Sequence, residues 1–376
     1  MRAANKKILC AICALMLLPW FPASAFADEP KTGAVSAILL EAGTGKVLYE
    51  KNAYIKLPMA STTKVMTAIL ALECCALSDT VTVTEDAYGT EGSSIYLELE
   101  EKMSVEDLLY GLMLNSGNDA AVALAVHIGG SLEGFANLMN AKAREIGANN
   151  TNFVTPHGLP NGDHYTTAYD LALISAYALK NEDFCTIVGT TYHRTTTGNF
   201  QRTFKNKNKL LWQYEGGNGI KTGYTKAAGK CLSFAAQREG MQLIGVVLNC
   251  PDTFNAAMSI LNYGFNNYEM KRVVAAGDII ARARVVGGKK NVLELVINED
   301  IMIPVEKGSN PALRTRIVID EGIRAPIHAG DKLGVLELYD EMGEKLIGSW
   351  QLVAKNDVDA ADLGFYLDKL FGLWTA

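Results

Sequence analysis

The chain has 376 residues, 49% hydrophobic and 20% charged, a composition that builds a core and excludes a disordered tail. Lys plus Arg total 35 against 41 Asp plus Glu, a net charge of −6. That balance gives no basic field for a phosphate backbone and excludes nucleic acid as the main partner.

Residues 1–27 read as a cleaved secretory signal. Arg2, Lys6 and Lys7 form a positive head, residues 8–18 an apolar run, and Ala25-Phe26-Ala27 a small–large–small cleavage site before Asp28. The run is short for a permanent span; the competing reading is an uncleaved anchor. Cleavage removes three bases and no acids, leaving −9, and takes Cys10 and Cys13 away. The five remaining cysteines (Cys74, Cys75, Cys185, Cys231, Cys250) show no C-x-x-C spacing and are expected to be buried small hydrophobes, at least one of them unpaired.

Residues 35–50 predict a β-hairpin turning at 42–45. Residues 61–76 have helical length and, past the first turn, are apolar nearly all round, as in a helix buried inside a domain. Residues 103–147 predict two or three more helices, broken at 115–118 and at Gly129-Gly130, and 167–180 another. Strand character returns at 219–225, 230–237 and 241–249, followed by a helix over 256–265. Strands at both ends with helices between them predict one sheet assembled from both ends around a helical lobe. From about Met270, alternating segments at 279–286, 292–297, 313–319 and 332–339 predict a small all-β domain. Leu363, Tyr366, Leu367, Leu370, Phe371 and Trp374 then form one stripe of a terminal helix.

Ser61 and Lys64 lie three apart at the start of the buried helix, on one face. A serine hydroxyl attacks only when a base takes its proton, and a lysine is that base only when neutral; burial and a second cation both push it there. The helix start also offers backbone N–H groups to an oxyanion. Ser-x-x-Lys alone carries little weight, because 14 serines and 24 lysines produce it about once by chance. Lys-Thr-Gly occurs twice. Lys31-Thr32-Gly33 precedes any predicted strand and reads as linker, whereas Lys221-Thr222-Gly223 lies inside one. Gly223 suits a strand only where something must come close to its backbone, as a catalytic serine would. Ser116-Gly117-Asn118 lies in the break between helices and is the one Ser-x-Asn of the chain. The signal is the ordered combination of the three.

On these motifs the chain resembles the low-molecular-mass penicillin-binding proteins, the D-alanyl-D-alanine carboxypeptidases of peptidase family S11. The stretches 60–73, 92–95, 107–113, 115–120, 156–159, 167–172 and 219–225 carry the resemblance, which spans about residues 35–265. It implies an α+β fold: a transpeptidase-like serine D,D-peptidase domain with an antiparallel sheet and helical lobe at 28–268, an all-β domain at 269–355 and an amphipathic helix at 356–376. It implies that Ser61 attacks the penultimate D-alanine of a peptidoglycan pentapeptide and forms an acyl-enzyme. Lys64 would take the proton, Ser116 and Lys221 would pass it to the departing D-alanine, and Asn118 would hold the substrate amide. Lys221 and Thr222 would meet the terminal carboxylate, Gly223 would allow the close approach, and the N–H groups of Ser61 and Tyr224 would form the oxyanion hole. It implies β-lactams as covalent inhibitors, no cofactor or metal, and an exported enzyme at the outer face of the cytoplasmic membrane or in the wall. The terminal helix would touch the membrane peripherally or pack on the β domain; with Lys369 among Asp357, Asp359, Asp362 and Asp368, its membrane binding would rest on apolar area.

Tyr224 stands where some relatives carry histidine, which leaves only a backbone role secure, and no arginine lies near Pro251-Asp252 for extra carboxylate binding. Two alternatives share the motifs. A class A-like β-lactamase would need a deacylating base, for which Glu133 is the candidate, though its surroundings lack the expected leucine and asparagine. An inactive wall-binding module would have lost a nucleophile or base, yet Ser61, Lys64, Ser116, Asn118 and Lys221 are all present. His127, His157, His164, His193 and His328 lack zinc-peptidase spacing, and His157 in Pro-His-Gly-Leu reads as a loop-ordering residue.

Overall fold

A computed structural model describes residues 29–374. The leader and its cleavage site lie outside the described residues.

The central sheet has five antiparallel strands in the order Val47–Lys51, Ser36–Glu41, Met241–Leu248, Gly229–Arg238, Gly217–Thr225. The first two come from the start of the domain and the last three from its end, so helices fill the sequence between them, as expected. Side chains alternate across the sheet. Leu39, Leu232, Phe234 and Leu243 pack with Ile260 and Leu261 of the closing helix Thr253–Asn267. Ile38, Leu40, Ala235 and Ile244 face the helical lobe. The strands are thus buried on both faces, and only the sheet's ends and edges are left for chemistry.

At the centre of the lobe lies the helix Lys64–Cys74, buried without a break from Lys64 to Ala71. It is surrounded by Val105–Tyr110, Asn118–Gly129, Leu132–Ile146 and Ala168–Ala178. Ser104, Ser131 and Thr167 cap three of these helices through their side-chain oxygens. The 115–118 break is a π-type turn, Gly111–Asn115, ending at Ser116 in a left-handed conformation. A helix at Glu182–Gly189 and a short hairpin of Tyr192–Arg194 with Thr203–Lys205 were not foreseen from sequence.

The β-rich part begins with Tyr268–Val274 paired to Ile301–Glu306. A second five-stranded sheet follows, in the order Ile279–Arg284, Val292–Val296, Leu346–Ala354, Lys332–Tyr339, Arg314–Ile319. Leu295, Ile303, Leu336 and Leu352 form its own core. The terminal helix runs over Leu363–Trp374, later than the expected 356, and Asp362 accepts from the N–H of Phe365 at its start. Leu363 is 74% and Leu370 58% exposed, so these two side chains of the stripe do not pack on the β domain.

The cysteines need a correction. Cys231 and Cys250 are buried, but Cys74 is exposed and Cys75 and Cys185 are half-buried; all five are free thiols. Cys74 ends its helix where that helix leaves the core.

Candidate active site

Ser61 lies in a tight turn, Ala60–Thr63, that leads into the buried helix. Ala60 has a left-handed backbone (φ 48°). Its carbonyl accepts from Thr63 Oγ1 at 2.8 Å, and a Cβ on Gly158 would collide with it, so the turn is held from outside by a glycine. Thr63 Oγ1 also meets His164 Nε2 at 2.8 Å, while His164 Nδ1 accepts from the N–H of Val154 at 3.0 Å. Nε2 therefore carries the proton of the neutral ring, and burial lowers the His164 pKa to about 4.

The Lys64 amine is completely buried and has three neighbours: Ser61 Oγ at 3.1 Å, Asn118 Oδ1 at 2.7 Å and the His157 carbonyl at 2.9 Å. Asn118 Nδ2 donates to the Glu91 carbonyl at 2.6 Å, which fixes Oδ1 towards Lys64. Asn118 Oδ1 and the His157 carbonyl can only accept. In a neutral amine they take both N–H groups, and the lone pair faces the Ser61 hydroxyl. The Lys64 pKa lies well below 10.5, first through burial, then through the charges of Lys221 and Lys207, with Asp119 pulling the other way.

Lys221 is also buried; burial and the Lys207 charge lower its pKa to about 7. Its amine donates to the Thr222 carbonyl at 3.0 Å. Its strand, Gly217–Thr225, is the edge of the sheet and runs beside the Ser61 turn. A Cβ on Gly223 would stand 3.0 Å from Ser61 N and 3.1 Å from Thr62 N. The close approach expected of this glycine is thus to the amides at the helix start. Tyr224 points out, 65% exposed, which leaves its backbone as the part of interest.

Of the expected residues, the structure joins Ser61, Lys64 and Asn118 by hydrogen bonds and lays the 221–224 strand against them. Ser116 is buried at φ 68°, and among the described residues its hydroxyl bonds neither lysine. Each end of the Asn118 amide makes one bond to protein, which leaves one N–H and one lone pair for a substrate amide. His157 orders its loop as foreseen, accepting from the N–H of Leu159 at 3.1 Å; burial and the Lys64 charge lower its pKa to about 3. Glu133 is exposed in the first turn of its helix and bonds none of these residues.

Two residues escaped the sequence reading. Lys207 donates to the Asn115 carbonyl at 2.6 Å and depresses the pKa of both buried lysines. Asp119 accepts from Ser94 Oγ at 2.6 Å and from the N–H groups of Ile95 and Leu97 at 3.1 Å, tying that segment to the third motif.

The profile of the D-alanyl-D-alanine carboxypeptidase family, peptidase S11, matches residues 23–252, and that of the penicillin-binding protein 5 C-terminal domain matches residues 268–360. D-alanyl-D-alanine carboxypeptidase DacF of Bacillus subtilis is 37% identical over 98% of this chain and 99% of its own length. Penicillin binding protein 5 from Haemophilus influenzae superposes with a TM-score of 0.71 at 32% identity, covering 89% of this chain and 99% of that one. A peptidoglycan synthesis regulatory factor (PBP3) from Streptococcus pneumoniae does so with 0.77 at 29%, covering 88% and 100%. With the matched profile spanning well over half of its length, the chain belongs to peptidase family S11, the D-alanyl-D-alanine carboxypeptidases.

Proposed function

We propose that the protein is a serine-type carboxypeptidase that removes the terminal D-alanine from peptidoglycan pentapeptides through a Ser61 acyl-enzyme. The observation that carries this reading is the Ser61 Oγ–Lys64 Nζ contact of 3.1 Å, with Lys64 buried and its other two partners both acceptors. Ser61 Oγ attacks the carbonyl of the penultimate D-alanine as its proton passes to Lys64. The oxyanion is held by the N–H groups of Ser61 and Tyr224, at the turn that Gly223 allows to come close. The C–N bond then breaks, and the departing D-alanine nitrogen receives a proton relayed from Lys64 through Ser116 and Lys221, for which the Ser116 hydroxyl must turn to meet the two amines it does not bond in this structure. Lys221 and Thr222 hold the terminal carboxylate, and Asn118 offers its remaining N–H and lone pair to the substrate amide. The substrate backbone lies along the open edge of the 217–225 strand. Water attacks the ester with Lys64 again as base, releasing the shortened peptide and restoring Ser61.

A β-lactam would acylate the same serine. The exposed Glu133 supplies no base beside the ester, which favours a long-lived adduct over lactamase turnover. The experiment is release of free D-alanine from a pentapeptide ending in D-Ala-D-Ala, with the penicilloyl mass increment located on the peptide containing Ser61. Labelling that persists in Ser61→Ala refutes the nucleophile.

Residues 1–27 are read as the leader, 28–268 as the peptidase domain, 269–355 as the β domain and 356–376 as a peripheral membrane contact of an enzyme acting outside the cytoplasmic membrane. No helix among the described residues is by itself long and apolar enough to cross a membrane. The exposed Leu363, Tyr366, Leu367 and Leu370 support peripheral contact through apolar area. Co-sedimentation with neutral vesicles that is lost on deleting 363–376 tests this.

A further inference from the structure

Residues 93–97 run along the Asn115–Asp119 turn, and seven of their backbone N–H and C=O groups are bonded to protein. The Ser93 carbonyl accepts from Asn118 N at 2.7 Å and the Ser94 carbonyl from Asn115 Nδ2 at 3.0 Å. Asp119 takes the N–H groups of Ile95 and Leu97. Arg202 donates from Nε to the Ile95 carbonyl at 2.8 Å and from Nη2 to the Tyr96 carbonyl at 2.7 Å. The Tyr96 N–H donates to Ser94 Oγ at 2.8 Å. Arg202 is itself fixed by both oxygens of the buried Glu101, at 2.7 and 2.8 Å.

All this fastening surrounds one exposed large side chain. Ile95 and Leu97 are 3% exposed, while Tyr96 between them is 79% exposed. Its backbone is left-handed, φ 59°, a conformation that glycine or asparagine adopts more readily than tyrosine. The ring adds little to the core, and the backbone disfavours it, so folding does not call for a tyrosine here. Non-glycine residues held in this region by surrounding structure cluster at functional sites. Here the chain leading to Tyr96 is tied to the site: Asn118 holds the carbonyls of Glu91 and Ser93, five and three residues before it, and, through Oδ1, the Lys64 amine. Arg202 carries a second exposed ring, Phe200, with its guanidinium 4.2 Å from the ring centre.

We propose that Tyr96 is a specificity-determining contact for the acyl part of the substrate that precedes the two terminal D-alanines, an inference that rests on the carboxypeptidase reading. A planar ring held at fixed orientation suits the peptide planes and aliphatic side chains of that segment, because it adds contact area with few torsions to freeze. The terminal dipeptide, in contrast, is handled by Ser61, Lys64 and the 221–224 strand.

The test compares kcat/KM for the pentapeptide with that for an N-acylated D-Ala-D-Ala, in the wild type, Tyr96→Gly and Tyr96→Phe. In Tyr96→Gly the pentapeptide-to-dipeptide ratio falls on the order of 10-fold, mainly through KM, as expected for losing contacts made equally in ground and transition states. Its Tm is equal to or above that of the wild type, because glycine takes this backbone freely. Tyr96→Phe keeps the ratio. An unchanged ratio in Tyr96→Gly overturns the inference. So does an equal loss on both substrates with a lowered Tm, which would make the residue structural. If the wild type releases no D-alanine from either substrate, the carboxypeptidase reading itself fails and the inference with it.

Discussion

Replacing Gly223 by alanine perturbs the site by a single methyl group whose position is known. The new Cβ would stand 3.0 Å from Ser61 N, 3.1 Å from Thr62 N and 3.2 Å from Ala60 Cβ. None of these is the end of a flexible side chain. The relief must come from moving the 60–62 turn or the strand by a few tenths of an ångström. The turn is pinned on its far side, since the Ala60 carbonyl sits against Gly158 and Thr63 Oγ1 bonds it. Overpacking of this kind costs about 1–3 kcal/mol of stability. A displacement of 1 Å at reacting groups costs about 10²-fold in rate, so a few tenths, applied to both Ser61 Oγ and the Ser61 amide, predicts an acylation rate lower on the order of 10-fold. Stopped-flow acylation by a fluorescent penicillin, with thermal unfolding alongside, measures both effects. Gly189→Ala is the control, because its Cβ would meet only the Asn218 carbonyl at 4.0 Å. Acylation of Gly223→Ala within about two-fold of the wild type, less than 0.5 kcal/mol in barrier, would refute the placement of this strand against the serine turn.

Lys64→Ala lowers acylation by about 10²- to 10⁴-fold, the range for losing a general base; a near-normal rate would mean that another group takes the Ser61 proton. Lys207→Gln removes a cation that depresses both buried lysines, so the Lys64 pKa rises and less of it is neutral at pH 7. The rising limb of acylation against pH then moves to higher pH, and a pH–rate profile that stays in place contradicts the role of Lys207. Arg202→Met leaves Glu101 buried without its partner and costs about 3–5 kcal/mol in urea unfolding, as broken buried ion pairs do; a loss below about 1 kcal/mol would contradict it. Asp107 has a folded pKa below 3.8: hydrogen bonds from His193, Thr197 and the N–H groups of Thr196 and Thr197 outweigh the opposing effect of burial. Its stabilisation is present above the unfolded pKa and is lost as pH falls through the folded one, so Asp107→Asn flattens the acid limb of stability against pH. An unchanged limb in unfolding melts excludes it.

What the sequence made legible was local. Ser61 and Lys64 share a helical turn, so their contact follows from spacing once the helix is recognised. Gly223 signalled a close approach because a glycine weakens a strand, although only the fold shows that the neighbours are the Ser61 and Thr62 amides. Lys207 left no such sign. Residues 201–210 alternate strictly between exposed and buried, and in that pattern Lys205, Lys207 and Lys209 are three equivalent surface lysines. It takes the fold to bring one of them to the Asn115 carbonyl. Asp119 was hidden for a similar reason, because nothing in a chain says which backbone amides a carboxylate will meet. The missed strands have broken patterns. Ile301–Glu306 contains a proline, and Leu346–Ala354 passes from a half-exposed stretch to a buried one. The Tyr192–Arg194 and Thr203–Lys205 strands are three residues each, too short for a period to show.

The two buried lysines also explain why the three motifs had to be so far apart in the chain. Each amine is desolvated, the Lys221 charge bears on Lys64 and the Lys207 charge on both, so the neutral form of Lys64 is favoured by the fold as a whole and not by its own helix. Lys64 comes from the lobe, Lys221 from the sheet edge, and the acceptors around Lys64 from the start of a further helix, Asn118, and from a loop, His157. A single element carrying both lysines could let them swing apart into water and regain their charges. Packed from opposite layers against a complete core, they have no such escape. Lys64 therefore stands against the Ser61 hydroxyl before substrate arrives, and Ser61 needs no rearrangement of Lys64 to lose its proton.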